Sequence, residues 1–290
     1  MTVAVPGGDL TVLRWPARTP HAPTVVAVHG ITANALAWGT VADRLAGQAV
    51  LVAPDLRGRA GSREVTGPFG LARHADDVAQ VVQALGLGPA LLLGHSMGAW
   101  VGALTAVRHP ELVRRLILVD GALSFPLPAG VDEDDALAHV LGPALARLSM
   151  TFPDRAAYRD FWLAHPAFAG AWTDRWDAYT QRDLVGEEPE LRSSCVPDAI
   201  RQDGREVLLD EDAAAAIHRL PCRAELLWAE RGLLDEPQGL YDPARIERAG
   251  LDGTRVPATR VPGSNHYSII GGAAGADAVV ERILDGGSAA

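Results

Sequence analysis

The first 120 residues alternate short apolar runs with amphipathic stretches. Residues 24–28 (TVVAV) are apolar almost without a break and end at His29-Gly30. Residues 49–53 (AVLVA) end at Pro54-Asp55, 90–93 (ALLL) at Gly94, and 116–119 (LILV) at Asp120. Unbroken runs, rather than alternating ones, are what strands need when helices cover both faces of their sheet. Between them lie helical patterns such as 70–86, where Leu71, Val78, Val81, Val82 and Leu85 share one stripe. Strand and helix in repeated succession predict an α/β fold with a mainly parallel, doubly wound sheet.

The rhythm stops after residue 121. From 122 to 216 no buried-strand run occurs, and the sequence is helical or loop-like with several prolines. Half of the sixteen aromatic residues fall in 150–179, among them Phe161, Trp162, Trp172 and Trp176, so this segment has its own packing to satisfy. Strand signals return at 224–228 and 254–261, and a last helix fits 273–284. The expected organisation is a core domain of residues 1–121 and 217–290, interrupted by a helical cap at 122–216. No period of 20–50 residues repeats, which argues against a solenoid.

Composition narrows the classes. With 290 residues and 48% hydrophobic content, the chain can bury one sizeable core and is not a disordered segment. Net charge is −10 and all 26 basic residues are arginine, without a basic stripe, so neither nucleic acid nor an anionic membrane is an expected partner. Two cysteines, Cys195 and Cys222, cannot build a disulfide framework or a metal cluster and read as unpaired thiols. No signal-peptide pattern opens the sequence, and the expected location is cytoplasmic. The acidic run 132–135 reads as a solvated helix start; no metal and no cofactor is implied.

The strongest chemical signal is Gly94-His95-Ser96-Met97-Gly98. A GxSxG pattern alone is weak, and a tight turn with an incidental serine is its plainer reading. Here it follows an apolar run and opens a helical stretch, the strand–turn–helix context in which the serine is held above the sheet's carboxyl edge. Ser96 is the expected nucleophile. It needs a base, and His266, in the loop between the last strand signal and the last helix, returns to that edge. His29 is expected to brace its own turn. His95 is expected to turn away from Ser96 and, with Gly30, to belong to the substrate pocket. His74, His109, His139, His165 and His218 fit ordinary surface or capping roles. The acid that orients His266 is open between Asp120 and Asp235, since each follows a strand at the same edge, with Glu230 a more remote third choice. Backbone donors for an oxyanion are expected from Ile31 and Met97. Trp162, Trp172 and Trp176 are candidates for an apolar pocket wall.

Taken in order, the His29-Gly30 turn, Asp55-Leu-Arg-Gly-Arg-Ala-Gly-Ser62, the Gly94–Gly98 elbow, the helical segment and Asn265-His266 resemble the α/β-hydrolase family over nearly the whole chain. The resemblance implies the α/β-hydrolase fold and a structural role for Arg57. Ala60 stands where relatives often carry glycine. Relatives commonly place the acid in Gly-Glu-x-Asp after the next strand, whereas Ala229-Glu-Arg-Gly232 has glycine there. Others place it one strand earlier, which favours Asp120. Ser96 argues against epoxide opening and dehalogenation, which use an aspartate at the elbow. The expected activity is hydrolysis of an ester or lactone of a hydrophobic small molecule. Thioesters, carbon–carbon bonds of diketone-like compounds and perhydrolysis are alternatives, and a small-molecule receptor is the non-enzymatic one. Oligomeric state does not follow from these residues.

Overall fold

The computed structural model describes residues 1–124 and 143–285. The run 132–135 and His139 lie outside the described residues. The unbroken apolar runs form the centre of an eight-stranded sheet in the order β1-β2-β4-β3-β5-β6-β9-β10. Its strands are β1 (Thr2–Val5), β2 (Gly8–Trp15), β3 (Thr24–Val28), β4 (Val50–Pro54), β5 (Ala90–His95), β6 (Val113–Val119), β9 (Arg223–Ala229) and β10 (Ala258–Val261). From β4 through β10 every neighbour is parallel, while β1 and β2 form an antiparallel edge, with β2 antiparallel to β4.

The edge pair β1–β2 was not among the expected strands. Its burial alternates along the chain, with Val3, Val5, Leu10 and Val12 facing in, so it lacks the continuous apolar run that marks a doubly covered strand. The expected strand at 254–261 shortens to Ala258–Val261, because Asp252 draws the chain into a turn by accepting from the Thr254 amide.

Helices cover both faces. On one side lie α2 (Leu71–Ala84) and α3 (Met97–Arg108); on the other, α1 (Gly39–Leu45), the single turn α10 (Ser268–Gly271) and α11 (Ala273–Asp285), while the short α9 (Pro243–Arg248) joins β9 to β10. The α2 stripe is formed as the periodicity requires: Leu71, Val78, Val81 and Val82 are each fully buried, worth about 1.5–3 kcal/mol apiece. Between β6 and β9 the described residues carry α4 (Pro143–Ala146), α5 (Arg155–Leu163), α6 (Asp174–Arg182), α7 (Pro197–Leu209) and α8 (Glu211–Ala216), with a two-stranded hairpin of β7 (Leu184–Val185) and β8 (Arg192–Ser193). This segment packs into both layers. Phe168, Trp176 and Tyr179 join the α1–α11 core, while Cys195, Ile200 and Ala213 join the α2–α3 core. No described helix is long and apolar enough to cross a membrane.

Candidate active site

The parallel strands end on one edge, and the candidate residues gather there. Ser96 follows β5 directly, with φ 54° and ψ −128°, a region L-residues rarely occupy. The turn is sealed on both sides by backbone. A side chain at Gly94 would collide with the carbonyl of Gly98, and one at Gly98 with those of Val28 and His29. The Ser96 amide donates to Val119 O at 3.0 Å, and its carbonyl accepts from Ala99 N at 2.9 Å, so the strained residue is held at both ends.

Asp120 ends β6, also at positive φ (46°), and is fully buried. Its two oxygens are both engaged: Oδ1 accepts from Ala229 N at 3.0 Å, and Oδ2 lies 2.7 Å from His266 Nδ1. A carboxylate only accepts, so Nδ1 carries the proton and Nε2 keeps its lone pair. Asp235 does not reach His266. It pairs with Arg231 Nε at 2.8 Å and accepts from Asn265 Nδ2 at 3.0 Å.

The His29-Gly30 turn faces Ser96. A methyl group built on Gly30 would stand 3.1 Å from Ser96 Cβ and 3.5 Å from its Oγ. His29 is buried and braces the turn as expected, accepting from Leu56 N through Nε2 (2.9 Å) and donating from Nδ1 to Gly30 O (2.8 Å). Met97 is the first residue of α3, so its N–H has no acceptor within the helix. Ile31 lies past the end of β3, and among the described residues neither amide is bonded elsewhere. Both are therefore available to a ligand oxygen.

A small cavity of about 50 Å³, open to solvent, adjoins these groups. Ser96, His95, His266, Gly30 and Ile31 line it together with Trp176. His95 thus shares the cavity with Ser96 rather than turning away from it. The reason is its own bond: Nε2 lies 2.8 Å from the His266 carbonyl oxygen, which draws the ring across the site. Trp162 and Trp172 stand one layer back. Trp162 is buried against Tyr158, Phe168 and Tyr267, with the Arg147 guanidinium over its ring, and Trp172 packs on Phe168. Tyr179, Tyr267, Leu233 and Thr32, with the apolar Ala33, Ala37 and Ile270, make up the rest of the wall and were not anticipated. Tyr179 lies in the aromatic-rich stretch, and Tyr267 adjoins His266, so a weak signal for both was present.

Two further features concern the buried arginines. Arg57 is fully buried and bidentate on Asp77 (2.6 and 2.8 Å), the structural role its motif implies. His74, expected at the surface, is fully buried and shares Asp203 with Arg59. Ala60 adopts φ 40°, the conformation for which glycine is the usual occupant. Cys195 and Cys222 are unpaired.

A family model for the alpha/beta hydrolase fold matches residues 23–195. The chain belongs to the α/β-hydrolase family. The chain is 33% identical over 181 residues to N-formylmaleamate deformylase of Pseudomonas putida, a match covering 58% of this chain and 66% of that protein. Across the first curated relatives, the chain spans only 28% to 66% of their length. Among solved structures, E-2-(acetamidomethylene)succinate hydrolase superposes with a TM-score of 0.79, covering 100% of this chain and 99% of that one at 21% identity. The thioesterase domain from the curacin biosynthetic pathway superposes with 0.74, covering 98% of each at 22% identity. At these identities the structural likenesses speak for the fold of the chain alone.

Proposed function

We propose that this hydrolase cleaves a carboxylic ester or lactone of a neutral, hydrophobic small molecule through an acyl-enzyme on Ser96. The observation that carries the reading is the 2.7 Å contact between His266 Nδ1 and buried Asp120, which leaves Nε2 as a base in the cavity that Ser96 lines. Ser96 Oγ attacks the carbonyl carbon as His266 Nε2 takes its proton, and Asp120 stabilises the imidazolium that forms. The oxyanion then sits against the Ile31 and Met97 amides. His266 gives that proton to the leaving group, then takes one from a water whose oxygen attacks the acyl carbon, and passes it to Ser96 Oγ as the bond to the acyl group breaks.

Substrate charge follows from the wall. Among the described residues lining the cavity there is no arginine, and residues 125–142 contain neither arginine nor lysine. A carboxylate entering this site would lose hydration without gaining a charged partner. That separates the present chain from the carboxylate-bearing substrates in the names of its relatives, and it favours an uncharged acyl group. Thioester cleavage by the same residues is the second reading, in keeping with the fold shared with a thioesterase domain.

The test is p-nitrophenol release from esters of increasing acyl length, with Ser96→Ala as control. Turnover is expected to peak at an intermediate length and to fall by at least about 10³-fold in the control. Silence of the native protein across the series, or an undiminished rate in Ser96→Ala, would overturn the reading.

A further inference from the structure

His95 is the cavity residue whose chemistry the scheme above leaves unused. The ring is buried, yet it borders the cavity beside Ser96. Its Nε2 faces a carbonyl oxygen, that of His266, and a carbonyl can only accept. Nε2 therefore carries the proton, and Nδ1 presents a lone pair. Among the described residues no donor meets that lone pair. Both this nitrogen and the nucleophile border Gly30: a methyl built there would stand 3.5 Å from Ser96 Oγ and 3.8 Å from His95 Nδ1. Burial first, and then the neighbouring His266, hold the imidazole well below its usual range. At neutral pH the ring is uncharged and Nδ1 remains an acceptor.

We infer that His95 Nδ1 accepts a hydrogen bond from the substrate, from a hydroxyl or secondary amide N–H on the carbon next to the scissile carbonyl. This rests on the acyl-transfer reading of the same site and narrows its substrate class. Ser96 and His95 line the same cavity, so a carbonyl carbon held at Ser96 Oγ leaves its α-substituent in the space that His95 also borders. An unmet acceptor lining a largely apolar cavity discriminates well, because a substrate without the donor leaves it unpaired once water is displaced. The remaining polar groups of the wall, the hydroxyls of Tyr179, Tyr267 and Thr32, can accept or donate and impose no such demand.

The experiment compares two activated esters, one with an α-hydroxyl and one with an α-methoxy group, in the native enzyme and in His95→Phe. The methoxy compound keeps the oxygen and adds bulk but cannot donate; the des-oxy ester controls for size. The native enzyme is expected to prefer the hydroxy ester in kcat/KM by about tenfold, and the ratio is expected to approach one in His95→Phe, whatever that change does to absolute rates. A native ratio near one overturns the proposal without any variant. Equal loss on both esters with the preference retained overturns it too, because that is what a structural role alone would give. Should neither ester turn over, the acyl-transfer reading fails on its own. The same ratio is then read from calorimetric Kd values for the α-hydroxy and α-methoxy amides, where equal affinities would again overturn the assignment.

Discussion

Asp120 and Asp235 stand on neighbouring loops and differ in what their carboxylates touch. Asp120 is sealed from solvent with one oxygen on His266; Asp235 is about a third exposed and spends its charge on Arg231. Asp120→Asn is accordingly expected to lower kcat by about 10⁴-fold, because the amide favours the wrong imidazole tautomer. Asp235→Asn is expected to change it by no more than about threefold, the scale of an ordinary surface substitution. Steady-state kinetics on one ester decides between them, and the reverse order would make Asp235 the acid. At this scale the sequence was informative where a residue sat inside a motif, as Ser96 and His266 do. It left the acid open because two aspartates follow two strands at one edge, and only the fold says which loop bends toward His266. The Asp203 partner of His74 had no signal at all, lying 129 positions away on another helix.

Helices and turns reveal a dependence that no single residue shows. Two successive carbonyls of the turn after β3 are held by buried arginines: Ile31 O accepts from Arg59 Nε at 2.9 Å, and Thr32 O from Arg147 Nη2 at 3.3 Å. Each arginine is paired with an aspartate from the segment between β6 and β9, Arg59 with Asp203 at 2.5 Å and Arg147 with Asp183. The seating of that segment therefore sets the backbone that carries the Ile31 amide. Removing one charge of a buried pair leaves the other uncompensated. Asp203→Asn is thus expected to destabilise the fold by about 3–5 kcal/mol, read as a lower urea midpoint; an unmoved midpoint would show the pair to be dispensable. The continuous strands and α2 were legible because burial on both faces, or on one stripe, writes itself into the apolar pattern. The edge pair β1–β2 was not, since a half-covered strand looks like ordinary alternation. The ring order that puts Trp176 on the cavity and Trp162 behind it depends on tertiary packing that periodicity does not encode.

Over the whole molecule, pH acts through buried imidazoles. Burial is the main reason that the pKa of His29 falls to about 3, with Arg59, His74 and Arg182 adding repulsion and the Gly30 carbonyl opposing them. Between about 6.5, the unfolded value, and that figure, the unfolded chain binds a proton that the fold does not. Stability therefore rises with pH across this window and is lost on acidification, by up to about 1.4 kcal/mol per pH unit from this residue. His95 is shifted the same way and adds to the slope. Denaturant midpoints at pH 7, 6 and 5 are expected to fall in that order and to fall less steeply in His29→Gln; a flat series in the native protein would refute the account. The turn around Ser96 has a different consequence. Gly94 and Gly98 are walled in by main chain, so nothing larger can be accommodated there without moving the sheet. Trp176 and Tyr179, by contrast, line the cavity from a helix. Substitution at Trp176 or Tyr179 can therefore change what the cavity admits, whereas the turn that carries the nucleophile tolerates no such change.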